Sequence, residues 1–345
     1  MVFDFIQMFK STKKIVYLIP MYSKTGGVEV AANTLIEKEY QGFQLEKLFV
    51  CLDIKDINNP FKIIGSVRRI LASKPDIIIM SLWRSSLVGL ISKIFRPRIK
   101  LILFIHSEKN TNFFDYIFTR IAYIFSIEIW SDSNSSFERR FSFKFRRIPR
   151  IISFNSRIIH RSKELQNMPN FIYWGRKSID KGLIRALKIF NGVKRYYPNA
   201  KFRIIGPDCE DTDIIKSFIN KNGLNSSVLF YDALDFQDIY HIAEKSSYYI
   251  QTSKFEGMAI SVVEAMKIGL VPIVTPAGEI TNYCNEKNSI IVHSNIETVR
   301  DILLTLQNED TYTKLSLNAS RNWARTTYKE SFIEACRNII SYEHD

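Results

Sequence analysis

The stretch "SYYIQTSKFEGMAISVVEAMKIGLVPIV", residues 247–274, decides the fold. It starts with a run of β-formers, turns near Gly257, continues as the apolar helical run "AISVVEAMKIG" and ends in the apolar run "LVPIV". A strand, a crossover helix and a second apolar strand predict one unit of a parallel sheet covered by helices on both faces. Two carboxylates, Glu256 and Glu264, fall inside this unit, where burial is costly unless hydrogen bonds compensate.

The same alternation of apolar strands and helical segments runs along the whole chain, from "KIVYLIP" at residue 14 to "SIIVH" at residue 289. The chain has 345 residues, a length that is typical of two domains. Two such series predict two doubly wound α/β domains. We place the first at residues 1–165 and the second at 166–326, with a C-terminal helix of about 327–345 that can pack back on the first.

Charge is divided unevenly between the two halves. Residues 1–165 hold 27 Lys and Arg against 14 Asp and Glu, whereas residues 166–345 hold 21 of each. This asymmetry indicates an anionic partner for the first half, with a generic lysine-rich surface as the alternative. The four cysteines have no CxxC spacing, so zinc and redox motifs are absent.

No segment predicts a signal peptide or a membrane-spanning helix. The N-terminus carries Asp4 and lacks a small-residue cleavage site. The most apolar segment, residues 113–130, is interrupted by Asp115, Arg120 and Glu128 and is therefore expected to be a buried or interfacial helix. We expect a soluble or peripheral protein.

Ligands of doubly wound sheets bind beyond the carboxyl ends of the strands, so the residues that follow each strand are the candidates. Gly26 and Gly27 open a helix whose N-terminus suits a phosphate, although such pairs are often simple turns. His106 follows "IKLILFI" and either faces a ligand or is structural. Arg176 and Lys181 bracket a turn before a helix, where two cations suit a diphosphate or are ordinary surface charge.

Glu256 and Glu264 are the two remaining candidates. At about 1.5 Å of rise per residue they would lie on the order of 10 Å apart, a spacing that suits a sugar and a ribose. Gly257 would let the backbone approach a ligand. The alternative is a helix cap at Glu256 and an exposed helix face at Glu264.

These motifs resemble glycosyltransferase family 4, the retaining nucleotide-sugar transferases of GT-B fold. The resemblance is strongest from Phe171 to Glu279. "YWGRKSIDKGLIRALKIF" is similar to the family's glycine-arginine and lysine-glycine signature, and "TSKFEGMAISVVEAMKIGLVPIV" to its Glu-x7-Glu block. "GGVEVAANTL" resembles its N-terminal glycine loop, and a histidine often stands at the position of His106.

The resemblance implies a GT-B fold, with two Rossmann-like domains facing a cleft, and a role for each candidate. Glu264 would bind the donor ribose and Glu256 the donor sugar. Arg176 and Lys181 would neutralise the diphosphate. The remaining implied contacts of the donor or the reaction centre are Gly26, Gly27, His106, Asp232, Ala233, Leu234, Gly257, Met258 and Ala259. The segment Gly257–Ala259 stands where the family often has Gly-Phe-Gly.

We therefore predict a retaining, metal-independent glycosyltransferase without a cofactor. It would move a sugar from a nucleotide-diphosphate sugar to a glycan acceptor, expected to be polyprenyl-linked, in bacterial O-antigen, capsule or related polysaccharide synthesis. A nucleotide-sugar epimerase or hydrolase of the same fold is the first alternative. A basic nucleic-acid-binding protein is the second, although no nucleic-acid motif is present and no nucleic-acid partner is expected.

The predicted location is cytoplasmic and peripheral, on the inner face of the cytoplasmic membrane. The excess positive charge of the first half would dock on anionic lipid. The first candidates for this contact lie in the basic and aromatic run around "FERRFSFKFRRIPR". They are Arg139, Arg140, Lys144, Arg146 and Arg147, interleaved with Phe137, Phe141, Phe143 and Phe145. The alternative for this run is an ordinary strand with one buried aromatic face.

Overall fold

The computed structural model describes residues 12–21, 27–40, 42–52, 56, 59–141, 147–152, 168–321 and 328–341. The chain divides into two compact units. The first consists of Met1–Phe154 with Thr326–Asp345, and the second of Asn155–Arg325. The domain boundary that we predict from the sequence lies between residues 165 and 166.

Unit 1 alternates strands and helices around a sheet in which only β2 is antiparallel to its neighbour among the described pairings. Its elements are β1 (Lys13–Met21), α1 (Gly27–Asn33), β2 (Lys38–Tyr40), β3 (Phe43–Cys51), α2 (Pro60–Ser73), β4 (Ile77–Ser81), α3 (Leu82–Phe95), β5 (Lys100–Ile105), α4 (Phe113–Phe125), β6 (Glu128–Ser131), α5 (Asn134–Arg140), β7 (Arg150–Ile151) and, from the end of the chain, α13 (Tyr328–Ser341).

Unit 2 repeats this alternation with a parallel sheet. Its elements are β8 (Asn170–Trp174), α6 (Leu183–Lys194), β9 (Lys201–Ile205), α7 (Thr212–Lys221), β10 (Val228–Tyr231), α8 (Phe236–Glu244), β11 (Tyr248–Gln251), α9 (Ile260–Ile268), β12 (Val271–Val274), α10 (Ile280–Tyr283), β13 (Ile290–Ile291), α11 (Asn295–Gln307) and α12 (Glu309–Arg321). The quoted stretch is the β11–α9–β12 unit that its pattern predicts.

The strand order places one switch point in each sheet. The order is β2-β3-β1-β4-β5-β6-β7 in unit 1 and β10-β9-β8-β11-β12-β13 in unit 2. The chain reverses its direction of progress between β1 and β4 in the first sheet and between β8 and β11 in the second. Ligands of doubly wound folds bind at the carboxyl ends of such strand pairs.

Each unit buries its own apolar core. In unit 1 the last helix, α13, contributes to it, since the ring of Phe332 lies 4.9 Å from that of Tyr17 and 5.3 Å from that of Trp130. In unit 2 the helices α6 and α9 bury one face each against the sheet. Fully buried strands and helix faces hold both switch points rigidly, because packed interiors resist displacement.

The basic and aromatic run at residues 137–147 differs from the predicted docking segment. The Arg140 side chain is buried and ion-paired with Asp115, and Phe137 and Phe141 belong to the core. These three residues were wrongly predicted to be available for lipid. Residues 142–146, with Lys144, Arg146, Phe143 and Phe145, lie outside the described residues.

The apolar segment at residues 113–130 is not a single helix. It is α4 followed, after a short turn, by the buried strand β6. Within the described ranges, no helix is both long enough and apolar enough to cross a bilayer.

Candidate functional site

The loops that follow β8 and β11 are joined by hydrogen bonds at the unit 2 switch point. The Thr252 hydroxyl donates to the Gly182 carbonyl at 2.7 Å, and the Lys254 amide donates to the Asp180 carbonyl at 3.2 Å. Gly182 has a φ of +76°, and a Cβ there would lie 1.9 Å from the Thr252 carbonyl oxygen. Only glycine fits this close approach and this conformation, which explains the lysine-glycine pair of the motif.

This arrangement brings two predicted site residues together. Lys181 Nζ lies 2.8 Å from Glu256 Oε1, and the carboxylate is buried. The same oxygen accepts a hydrogen bond of 2.6 Å from the side-chain amide of Gln251. A buried carboxylate is stable when it is paired and hydrogen-bonded in this way.

The orientation of Gln251 is fixed by two hydroxyl groups. Its Oε1 accepts hydrogen bonds from the Tyr249 hydroxyl and, at 2.9 Å, from the Ser261 hydroxyl. Two donors on the oxygen require the NH₂ group to point the other way, toward Glu256. Both of these donors bind the same carboxylate oxygen of Glu256, Oε1.

Glu264 lies on α9, between buried neighbours. Trp174, at the end of β8, donates its indole N–H to Glu264 Oε2 at 3.0 Å. Burial raises the pKa of Glu264 to about 7, although the Trp174 hydrogen bond and the positive charge of Lys267 oppose the shift. Burial lowers the pKa of Lys267 to about 8, opposed by Glu264. Glu264 therefore does not lie on an exposed helix face, and the N-cap of α9 is Ala259 rather than Glu256. Hydroxyl donors would favour the charged form of Glu264.

The two predicted cations of the β8 loop differ in their surroundings. Arg176 is exposed, and its ion pair with Asp180 is long, at 3.4 Å, so it can turn toward an anion. Between the two, Lys177 is buried and holds Asp208 at 2.7 Å. Lys177 therefore joins the loops after β8 and β9 and shapes the turn that presents Arg176 and Lys181.

The residues after Glu256 carry an unusual backbone. Ala259, at the N-terminus of α9, has a φ of +51° and a ψ of +63°, the left-handed region that favours glycine. The family's Gly-Phe-Gly pattern would put glycine at this position. Gly257 has a φ outside that region, and Tyr283 donates its hydroxyl to the Met258 carbonyl at 2.7 Å.

The segment Asp232–Leu234 follows β10, the edge strand of the sheet. It lies two strands from β8, or about 10 Å at the usual strand spacing. It is thus at the same carboxyl edge of the sheet as Lys181 and Glu256, but beside the edge strand. Its role near the nucleotide base stays a prediction.

In unit 1, His106 lies at the carboxyl end of β5 and is linked to the switch point. Its Nε2 is 2.8 Å from the Ser81 hydroxyl, which is 2.9 Å from the Tyr17 hydroxyl. Burial and the nearby Arg140 guanidinium lower the pKa of His106 to about 3, so its imidazole is neutral at physiological pH. Gly27 is the first residue of α1, and Gly26 lies outside the described residues.

Sequence reasoning missed Trp174 and Gln251. Trp174 stands directly before the recognised "GRKSIDKG" turn, and Gln251 directly before "TSKFEG". A polar or indole side chain as the last residue of an otherwise apolar buried strand was the available signal, because a parallel strand delivers its last side chain to the binding edge.

A family comparison identifies this half of the chain. Residues 155–322 match the family "Glycosyl transferases group 1". The match falls on the second unit. The matched range coincides with the unit that carries Lys181, Glu256 and Glu264, so the part of the chain that matches this family is the part that holds the assembled site.

Curated relatives match parts of the same chain. A GDP-mannose:cellobiosyl-diphosphopolyprenol alpha-mannosyltransferase of Xanthomonas oryzae pv. oryzae is 27% identical over 134 residues, 38% of this chain and 35% of that protein. A poly(glycerol-phosphate) alpha-glucosyltransferase of Bacillus subtilis is 30% identical over 168 residues, 46% of this chain and 24% of that protein. The chain thus matches about a third or less of the length of these two relatives.

Solved structures resemble the whole fold. A sucrose-phosphate synthase of Thermosynechococcus elongatus matches with a TM-score of 0.79 and 13% identity, over 96% of this chain and 100% of the other. Anabaena HepE, solved in complex with UDP-glucose, matches with a TM-score of 0.74 and 15% identity, over 94% and 99%. These likenesses confirm the predicted GT-B fold, which consists of two doubly wound units.

Proposed function

We propose that this protein is a glycosyltransferase that moves a sugar from a nucleotide-diphosphate sugar to a glycan acceptor. The observation that carries the proposal is the Lys181–Glu256–Gln251 cluster at the switch point of unit 2. It places a cation, suited to a diphosphate, next to a carboxylate that can accept hydrogen bonds from sugar hydroxyls.

The proposed donor contacts follow from the chemistry of each side chain. Glu264, with its Oε2 held by Trp174, accepts from the ribose hydroxyls. Arg176 and Lys181 stabilise the negative charge that builds on the leaving diphosphate. This interaction accelerates the reaction to the extent that the two cations bind the transition state more tightly than the ground state. No metal is needed in this proposal, because these cations perform that task.

His106 serves as a neutral hydrogen-bonding group in the proposed reaction. Its low pKa keeps the imidazole uncharged, and Ser81 fixes one ring nitrogen. It would therefore bind sugar or acceptor hydroxyls rather than carry a charge. We propose retention of configuration and membership of family 4, both on the strength of the Glu-x7-Glu block.

The proposed acceptor is a polyprenyl-linked glycan of a bacterial O-antigen, capsule or related polysaccharide pathway. The Xanthomonas relative's name states a diphosphopolyprenol acceptor, and the Bacillus relative's name a poly(glycerol-phosphate). The positive charge of the first half of the chain supports an acceptor at an anionic membrane. The proposed location is the inner face of the cytoplasmic membrane.

The test is a thermal-shift screen of nucleoside diphosphates and their sugars, followed by a transfer assay with the donor that binds. A ligand of the folded state raises the melting temperature by mass action. The proposal expects one nucleotide series to bind and its sugar to appear on an acceptor. Release of free sugar, or an isomerised nucleotide-sugar, as the sole product would identify the hydrolase or epimerase alternative instead.

A further inference from the structure

Helix α4 has an inverted distribution of polarity. Its inward face holds the buried Asp115 and Thr119, which bind the Arg140 guanidinium. Its exposed side chains are Phe113, Phe114, Tyr116, Ile124 and Phe125. Every exposed position of this helix is therefore aromatic or aliphatic, the reverse of a helix that simply covers a core.

Helix α3 lies beside α4 and extends the apolar surface. The Trp83 ring is stacked 6.0 Å from Phe114 and 6.1 Å from Phe118, so the N-terminal ends of the two helices are adjacent. The exposed side chains of α3 are Ile94 and Phe95, at its C-terminal end. Both helices follow neighbouring parallel strands, so their C-terminal ends also lie side by side. We call the exposed side chains of α3 and α4, with Ile127, the α3–α4 surface.

The α3–α4 surface differs from the exposed face of helix α7 in the other unit. Helix α7 of unit 2 is of similar length and exposes Asp213, Lys216 and Lys221 next to a single large apolar side chain, Ile214. Scattered apolar side chains are normal on protein surfaces, whereas a large apolar patch, especially one rimmed by polar residues, marks an interaction site.

The charges of the same segment all have one sign at the surface. Residues 82–127 contain seven Lys and Arg and two acidic residues, Glu108 and Asp115. Both acidic residues are buried and ion-paired with arginines. Arg98 is exposed, and the Arg147 guanidinium donates to the Ser126 and Ile127 carbonyls at the end of α4. The α3–α4 surface is thus an apolar face accompanied only by cations.

We infer that the α3–α4 surface docks the protein on an anionic phospholipid bilayer. Aromatic and aliphatic side chains enter the interfacial layer, and neighbouring cations bind anionic headgroups. A second copy of the chain is a poorer occupant, because a two-fold contact would bring these cations against one another. The inference deepens the proposed function, since it assigns the surface that brings the enzyme to a lipid-linked acceptor.

The experiment is sedimentation with vesicles of phosphatidylcholine, with and without phosphatidylglycerol. The double variant Phe95→Ser/Phe125→Ser removes two exposed rings, 71% and 55% accessible. The matched control is Tyr196→Ser/Ile296→Ser, which removes two exposed apolar side chains from unit 2. Thermal melting establishes that each variant is folded.

We expect the wild type and the control to pellet with anionic vesicles and less with neutral ones. The Phe95→Ser/Phe125→Ser variant should lose about tenfold or more in partitioning, as expected for two rings withdrawn from lipid. Partitioning equal to that of the wild type would overturn the inference. So would equal binding of the wild type to neutral vesicles, or a dimer in sedimentation equilibrium that the double variant abolishes.

A separate measurement distinguishes this inference from the proposed function. Nucleotide-sugar binding by calorimetry depends on unit 2 and should be the same in wild type, variant and control. Vesicle binding without any nucleotide-sugar binding would sink the proposed function and leave the docking surface in place. Nucleotide-sugar binding without binding to anionic vesicles would contradict the docking surface and leave the proposed function in place.

Discussion

At the level of single residues, the raised pKa of Glu264 predicts that donor affinity depends on pH. Because burial raises this pKa to about 7, the carboxyl group is largely protonated below pH 7 and loses its charge as a hydrogen-bond acceptor. Ribose hydroxyls donate best to the ionised form, so donor affinity should fall roughly tenfold between about pH 7.5 and 6. Calorimetry with a nucleotide-diphosphate sugar measures this.

The matched variant for that prediction is Glu264→Gln, which cannot titrate. It should bind the donor more weakly at about pH 7.5, by roughly 1.5–3 kcal/mol for a lost charged hydrogen bond, and show little dependence on pH. An equally steep pH dependence in the variant would assign the titration to another group and remove Glu264 from the ribose site.

The cations of the β8 loop give the second prediction. Arg176→Ala and Lys181→Ala should each lower kcat, by about 10²–10³-fold if the group stabilises the leaving diphosphate. The double variant should lose less than the two effects combined, since both serve one group. Lys188→Ala, an exposed lysine on α6, is the control and should keep wild-type kcat.

The proposed independence of metal ions is tested with the wild-type protein. Activity should persist in EDTA, because fixed side chains supply the positive charge. Complete loss of activity on chelation, with recovery on addition of magnesium or manganese, would show that a metal ion stabilises the leaving diphosphate instead of Arg176 and Lys181.

Ala259 permits a stability prediction from its backbone alone. Its φ of +51° disfavours any side chain by about 1–2 kcal/mol. Ala259→Gly should therefore raise the free energy of unfolding by roughly 1 kcal/mol, measured in urea. Ala265→Gly, in the same helix but with ordinary helical geometry, should lower it by at least a similar amount. Destabilisation by both substitutions would show that the strain at Ala259 is absent.

At the level of elements, the turn between β8 and α6 decides the site. Gly182→Ala adds a Cβ 1.9 Å from the Thr252 carbonyl oxygen at a φ of +76°. The two loops must separate, and Lys181 with them, so we expect loss of activity and destabilisation of several kcal/mol. Circular dichroism with urea and a donor-binding assay measure the two effects.

The control for Gly182→Ala is Gly223→Ala, after helix α7. Gly223 has a similar φ of +65°, but a Cβ there meets nothing within 4 Å. It should show only the conformational cost of about 1–2 kcal/mol, with activity retained. Equal destabilisation by both substitutions would mean that the contact with Thr252 contributes nothing.

At the level of the whole molecule, each of the two units has its own apolar core. The donor contacts that we propose from unit 2 involve the residues of that unit only. A donor at one hundred times its Kd stabilises the unit that binds it by about 2.7 kcal/mol. Hydrogen exchange should therefore slow most in the peptides that contain residues 170–182 and 251–268. The strongest protection elsewhere, in the sheet of unit 1, would contradict the assignment of the donor to unit 2.

The sequence by itself determined the fold class and the main candidates. Runs of Ile, Val, Leu and Phe that alternate with helical segments are typical of parallel strands, because helices cover both faces of such a sheet and both faces of each strand are buried. The motif spacing around Lys181 and Glu256 is local in the chain, so it could be read without coordinates. Whether these two residues bind the donor stays a prediction.

Only the tertiary structure decided which side chains meet and which are buried. Lys181 and Glu256 are 75 residues apart, and their contact depends on the strand order that puts β8 beside β11. Trp174 and Gln251 became visible as partners of the carboxylates for the same reason. Arg140 shows the converse: its sequence context suggests an exposed cation, but a buried aspartate on a distant helix draws it inside. Burial and pairing are properties of three-dimensional neighbours, and a local pattern does not contain them.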